Sequence, residues 1–362
     1  MKIGFDASDL TTNRADGTTR YTRELVTRLP LLGPGHDWQL FAPGDFQTDT
    51  PLAPNTQKVI SPWPKYWTQA RLPFNLLAQK PDVLFMPIQQ LPILRPRSMK
   101  TVAVIHDLAF QMFGKQYTYK DWLLLHAFTA QVARQADTII AVSQSTANDI
   151  ARCYGRTRNV QVIHHGVDLQ KFHVPVESEK ESSWQQLVAA YPKLRKPYVL
   201  YVGQIQPRKN LPALIKAFEI AHGKNRDLQL VMASGHGWKQ AETLEAIKNS
   251  RVAEHIYMPG KVSDGLLPAL YGHASALALV SLYEGFGMPI LEALACGTPV
   301  VTSNVSSMSE VGRGQTILVN PNDTESIADG LLKALAAPRG KGLGQEFSWE
   351  VTAQKTLRAI VG

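Results

Sequence analysis

The stretch YEGFGMPILEALACGTPVV, residues 283–301, carries two glutamates eight positions apart among apolar neighbours. Between Glu284 and Glu292 lie Gly285, Phe286, Gly287 and Met288. Upstream, ASALALVSLY is an apolar run of strand length. Downstream, Ile290, Leu291, Leu294 and Ala295 recur at helical spacing. Pro289 suits a first helical turn, where its missing N–H costs nothing, and Gly297 suits a helix C-terminus. TPVVTS then reads as another buried strand, so the stretch is one parallel β/α unit. In such sheets ligands bind beyond the C-terminal ends of the strands. Eight helical residues span about 12 Å, too far for one proton-transfer pair. The spacing suits two contacts along an elongated ligand, with Gly285 and Gly287 letting the backbone approach it. The competing reading makes Glu292 a solvated helix residue and Glu284 an ordinary loop residue.

A second constellation lies in YVGQIQPRKNLPALIKAF, residues 201–218. A strand ends at Gly203, and Arg208 and Lys209 precede Asn210, a residue type suited to a helix N-cap. Two cations beside a positive helix end form an anion site. Arg can bridge two phosphate oxygens, while Lys acts as a compact charge. Both are expected to be exposed, and the competing reading is a solvated basic turn. His106 closes the apolar strand of VIHDLAF, as a hydrogen-bond donor or proton carrier near pH 7, or as half of a His–Asp pair capping the strand. Gly17 lies in DASDLTTNRADGTTRYTREL, a loop that follows the first strand and could approach a ligand. It has no G-x-G-x-x-G dinucleotide fingerprint. TSNVSSMSEVG, residues 302–312, offers hydroxyl and backbone groups. The alternative is a plain loop, with Glu310 then capping the short helix or turn after it. SPWPKYWTQARLPF gathers Trp63, Lys65, Tyr66, Trp67 and Arg71, which suits a membrane interface or an acceptor groove; otherwise its tryptophans pack into the core.

The elements that must position these residues alternate in two series. KIGFDA, WQLFAP, QKVIS, DVLFMP, TVAVIHD, TIIAVS and NVQVIHHGV read as strands, with helices near 18–30, 66–79, 118–136 and 144–154. The segment 176–196 is polar, ends in proline and reads as a connection, although WQQLVAAY has helical character. The alternation restarts with YVLYVG, LQLVMASG, HIYMPG, ALALVS, PVVTS and TILVN, with helices near 211–222, 238–249, 264–273, 288–296 and 323–337. The expected fold is α/β: two doubly wound Rossmann-like domains, 1–175 and 197–347, facing across a cleft that holds the active site. A last amphipathic helix, 348–362, packs back on the first domain.

Composition agrees with a globular enzyme. At 362 residues the chain is too long for one core, with 44% apolar and 19% charged residues. A net charge of +8 favours an anionic partner, phosphates or a lipid surface. The cations are scattered and match no zinc-finger, basic-zipper or RNA-binding signature, which argues against nucleic acid. No apolar run is long enough to span a bilayer. Asp6 and Asp9 interrupt what would have to be a signal core, so the N-terminus reads as a strand and the expected location is cytoplasmic. Cys153 and Cys296 show no metal spacing, and Cys296 reads as a packed thiol. No carboxylate cluster or Asp-x-Asp pair accompanies the phosphate site, so no metal cofactor is expected.

These motifs together resemble a family. EGFGMPILE followed by ALACGTPVV is similar to the Glu-x₇-Glu signature of the retaining GT-B glycosyltransferases of family four, also called glycosyl transferases group 1. VGQIQPRKNL resembles their phosphate-binding turn. HHGVD, residues 164–168, resembles their Asn-Gly-Val-Asp loop with His165 in place of the asparagine, and IHDL and TIIAVSQSTANDI match their N-terminal domain. The first loop, ADGTTRY, lacks their paired glycines. The resemblance implies sugar transfer, with retention, from a nucleoside-diphosphate sugar to an acceptor hydroxyl. It implies that Arg208 and Lys209 neutralise the diphosphate, Glu292 binds the ribose, and Glu284 faces the sugar. The amides of Phe286, Gly287 and Met288 support sugar and phosphate, His106 lies near the reacting sugar, and Glu310 lies near the base or ribose. HDL followed by AF is similar to mannosyl- and rhamnosyl-type transferases of surface polysaccharide or glycolipid synthesis. This favours GDP-mannose, with a carbohydrate or lipid-linked acceptor and a possible peripheral contact with anionic membrane. A sugar-nucleotide-binding protein without transfer activity, and a phosphorylase or epimerase on the same scaffold, are the alternatives.

Overall fold

The protein is described from a computed structural model covering residues 1–12, 16–63, 65–235, 237 and 239–362. Part of the loop after the first strand, Pro64 in the aromatic–basic stretch, and the expected start of a helix at Trp238 lie outside the described residues.

Two compact units emerge, one of Met1–Gly166 with Ser348–Gly362, the other Val167–Phe347. The first is built on strands β1 (Lys2–Asp6), β2 (Asp37–Ala42), β3 (Thr56–Ile60), β4 (Val83–Met86), β5 (Lys100–Ile105), β6 (Thr138–Ala141) and β7 (Val160–Val162). They form a parallel sheet in the order β3-β2-β1-β4-β5-β6-β7. The second has β8 (Tyr198–Val202), β9 (Gln229–Ala233), β10 (Ile256–Gly260), β11 (Ala276–Leu279), β12 (Val300–Ser303) and β13 (Ile317–Val319). Its order is β10-β9-β8-β11-β12-β13, again parallel. The central strands carry apolar side chains on both faces, as parallel strands covered by helices must: Phe5, Phe85, Val104, Leu200, Val231 and Leu277 are all fully buried. In both sheets the order reverses beside the first strand, between β1 and β4 and between β8 and β11. Such reversals open a crevice at the carboxyl ends of the strands.

Helices depart from the sequence reading in two places. The helix expected over 66–79 is two helices, Trp67–Ala70 and Leu72–Gln79, joined at Arg71. Pro73 lacks the N–H that a continuous helix would donate to Gln69, so the helix restarts around it. The segment 176–196, expected as a connection, carries the helix Glu177–Ala190 within the second unit. The C-terminal helix Trp349–Val361 packs on the helix Gly17–Leu32 of the first unit. There Arg28 Nε donates to Glu350 Oε1 at 2.9 Å. The glycine of HHGVD fits this return: a Cβ at Gly166 would come within 2.4 Å of the Trp349 backbone nitrogen.

Candidate functional site

In the second unit, the loops that leave β8 and β11 meet at the sheet's reversal. Gly203 follows β8 with φ of +151°, and the short turn Pro207–Lys209 then leads into the helix Leu211–Lys224. Leu282 N, beyond β11, donates to Arg208 O at 2.8 Å, which ties the two loops together. Asn210 is not the side-chain cap that its type suggests. It adopts a left-handed conformation at φ +60°, and its amide donates to Val280 O and Pro321 O.

Glu284 is the centre of this arrangement. Its Oε2 accepts from Arg208 Nη1 at 2.8 Å, and its Oε1 accepts from Lys209 Nζ at 2.5 Å and Ser281 Oγ at 2.7 Å. Arg208 also donates to Tyr283 O and to Gln206 Oε1. The expectation that both cations are exposed is corrected: the side chains of Arg208 and Lys209 are 14% and 13% exposed, and that of Glu284 is 7% exposed. They turn inward because the carboxylate, itself desolvated, draws them. Burial alone would raise the Glu284 pKa, but the adjacent Lys209 and Arg208 charges outweigh it and hold the carboxyl down to about 2.

The turn that presents Glu284 is clamped by serines. Ser306, at φ +59°, accepts from Glu284 N and donates to Glu284 O. Ser307 Oγ lies within hydrogen-bond reach of Glu284 O and Phe286 O, at 2.9 and 2.8 Å, and Ser303 Oγ donates to Ser281 O. The hydroxyls of 302–312, read as groups offered to a ligand, here hold the neighbouring loop. Glu310 is half-buried on the short helix Met308–Gly312. Gly285 and Phe286 are buried. Gly287 caps the helix Met288–Ala295 at φ +102°, a conformation that favours glycine. Only Met288 onward is helical, so the span of about 12 Å expected from a helical rise throughout does not hold across the turn.

Glu292 sits inside that helix and is 3% exposed, which excludes a solvated face. Tyr271 Oη, from the helix Leu267–His273, donates to Glu292 Oε2 at 2.6 Å, and Thr298 Oγ1 fixes Tyr271 by donating to its carbonyl. Nothing in the sequence points to Tyr271 or Ser281, since their partners are brought together only by the fold, and Ser306 is read there only as one of the hydroxyls of 302–312.

The remaining candidates lie in the first unit. His106 follows β5, and its Nε2 is 2.7 Å from Pro87 O, beyond β4. A carbonyl only accepts, so Nε2 carries the proton. Burial lowers the His106 pKa against the opposing effects of Pro87, Asp107 and Asp16, which favours neutral imidazole with Nδ1 as the acceptor atom. For the alternative reading of a His–Asp pair, Asp107 Oδ1 accepts from Ala109 N at 3.1 Å, while His106 bonds Pro87 O. His106 packs edge-on to Tyr21 and His165, and His165 is buried beside Trp349. Asp6, at the end of β1, is 1% exposed and accepts from Trp67 Nε1 at 3.1 Å. Thus Trp67 is core, whereas Trp63 and Tyr66 are exposed. Gly17 opens its helix at the surface, where a Cβ would meet nothing within 4 Å. Among the described residues, no group of three or more His, Cys, Asp or Glu is placed to hold a metal, and no helix is long and apolar enough to cross a membrane.

Comparison with known proteins adds to this geometry. Residues 15–171 match the model of "Glycosyltransferase Family 4", and residues 185–345 match "Glycosyl transferases group 1". The O-antigen chain mannosyltransferase B of Escherichia coli is 33% identical over 195 residues, 51% of this chain and 48% of that protein. The serotype-specific mannosyltransferase WbdA of the same species is 30% identical over 280 residues, 72% of this chain and 33% of that protein. The chain therefore spans half or less of the length of these relatives. The solved structure of sucrose-phosphate synthase from Thermosynechococcus elongatus superposes with a TM-score of 0.73 at 19% identity, covering 99% of this chain and 97% of that one. That likeness is one of fold.

Proposed function

The chain belongs to the family-four, group-1 glycosyltransferases with the GT-B fold, and on that premise we propose that it moves a hexose from a nucleoside-diphosphate sugar to an acceptor hydroxyl with retention at the anomeric carbon. The observation that carries the proposal is the Arg208–Glu284–Lys209 cluster at the reversal of the second sheet, where such folds bind ligands. Two half-buried cations there answer the charge that grows on a departing diphosphate, and preorganised charge of this kind is often the largest catalytic contribution. Glu292, held by Tyr271, takes the ribose hydroxyls. Glu284 faces the transferred sugar, and the amides of Phe286, Gly287 and Met288 support the sugar and phosphate, with Gly203 and Gly285 leaving the backbone open to the donor. His106 accepts a hydrogen bond from a substrate hydroxyl through Nδ1. The acceptor's proton goes to a donor phosphate oxygen, so no protein nucleophile and no metal is assigned.

The mannosyltransferase relatives favour GDP-mannose as donor and a carbohydrate or lipid-linked glycan as acceptor, in surface polysaccharide or glycolipid synthesis. A melting-temperature panel of GDP, UDP, ADP and their sugar conjugates tests the donor. A ligand at 100 times its Kd adds about 2.7 kcal/mol of stability. GDP and GDP-mannose are expected to give the largest shifts; a panel with no shift at all counts against the proposal.

A further inference from the structure

We propose that Glu284 is the resident counter-anion of the diphosphate site: its carboxylate already engages Arg208 and Lys209, so a donor binds by exchanging one anion for another, and the product diphosphate is held loosely enough to leave. The inference rests on the donor reading given above. Three observations carry it. Each carboxylate oxygen is bonded to a different cation, at 2.8 and 2.5 Å, so one resident anion is shared by both positive charges. Glu284 is buried and the two cations are largely withdrawn from solvent, where opposite charges interact strongly and an uncompensated charge is costly. Ser281, Ser306 and Ser307 fix both the carboxylate and its backbone, so Glu284 stays in place when a second anion competes for Arg208 and Lys209.

Together the two cations and the carboxylate carry a net charge of +1. A diphosphate approaching them is attracted by two charges and repelled by a third that does not move. Tight capture of the diphosphate would slow turnover whenever product release limits the rate. The fixed carboxylate limits that capture and still keeps both cations oriented before the donor arrives.

The test is calorimetric binding of inorganic diphosphate and of GDP to the full chain and to Glu284→Gln and Glu284→Asp. Glutamine keeps the shape and removes the charge; aspartate keeps the charge. The inference predicts at least tenfold tighter binding of both ligands to Glu284→Gln, with Glu284→Asp within threefold of the parent. It also predicts stronger inhibition of Glu284→Gln turnover by added GDP. Unchanged or weaker binding to Glu284→Gln overturns it while leaving the donor reading intact. If no variant and not the parent binds either ligand, the donor reading fails and the inference fails with it. Should Glu284→Gln melt early, diphosphate is expected to restore its melting temperature by more than it raises the parent's, since the ligand then replaces the carboxylate. A failure of that rescue also overturns the inference.

Discussion

Glu292 shows how a single buried carboxylate is prepared for one partner. Its Oε2 is engaged at 2.6 Å by the Tyr271 hydroxyl from the helix Leu267–His273, which restrains the rotation of the group. A carboxylate held in this way can accept charge-assisted hydrogen bonds from ribose hydroxyls, each contributing about 1.5–3 kcal/mol. Glu292→Ala is therefore expected to lower kcat/KM by roughly 10–150-fold and to weaken binding of the nucleoside diphosphate. Binding of inorganic diphosphate, which has no ribose, should be unchanged. Titration of both ligands against the variant checks this; unaltered nucleoside diphosphate affinity would contradict it. The type and spacing of Glu284, Glu292, Arg208 and Lys209 are legible in the sequence. Their burial is not, because two cations and a carboxylate from separate loops pair only after β8 and β11 come together. Tyr271 leaves no sequence signal, since a tyrosine in a short apolar helix reads as core packing.

At the scale of elements, the turn between β11 and the helix Met288–Ala295 positions the site, and Gly287 sets its geometry. Its φ is +102°, and a Cβ there would lie 3.1 Å from Ile290 Cδ1. A β-branched residue at positive φ costs on the order of 1–3 kcal/mol. Gly287→Val should lower the unfolding free energy by about that amount and depress turnover by displacing Glu284, whereas Gly17→Ala, with open space around it, should be nearly neutral. Denaturant melts of both variants decide the matter, and an unperturbed Gly287→Val contradicts the account. Every strand read from the sequence has its counterpart in the two sheets; the central ones, buried on both faces, are short apolar runs bounded by Gly, Pro and polar residues. Helices are less legible. The break at Arg71 depends on one proline. Glu177–Ala190 is mostly polar with little amphipathic pattern, so it reads as a linker. The serines of 302–312 carry no periodic signal that assigns them to a loop twenty residues away.

At the scale of the whole molecule, one sheet order occurs twice, and the last helix returns to the first unit. Each unit thereby buries charge at the carboxyl edge of its first strands. In the first unit that charge is Asp6, whose pKa burial raises from 3.8 to about 6 despite hydrogen bonds from Trp67 and Ser8. A raised carboxyl binds its proton more tightly in the folded state. Its contribution is therefore complete below about pH 4 and is lost as pH rises through about 6. Each tenfold change in proton affinity is worth about 1.36 kcal/mol, so the loss is about 3 kcal/mol. The stability difference between the parent and Asp6→Asn should fall by that order between pH 4 and 6; a flat difference would contradict the assignment. In the second unit the sign is opposite. The Glu284 carboxyl is depressed from 4.5 to about 2, so its contribution is in place above pH 4.5 and is lost below it.

The central claim is tested most directly by following nucleoside diphosphate release and glycoside formation together, with GDP-mannose as donor and mannose-terminated oligosaccharide as acceptor, in the presence of a chelator. The account predicts release that depends on the acceptor, formation of an α-linked product that retains the donor's anomeric configuration, and a roughly 10²–10³-fold loss of turnover in Arg208→Ala and in Lys209→Ala. Donor binding without release would identify a sugar-nucleotide-binding protein. Cleavage that requires inorganic phosphate would identify a phosphorylase, and acceptor-independent interconversion of the donor an epimerase. Each of these results, or full turnover in both alanine variants, would contradict the account.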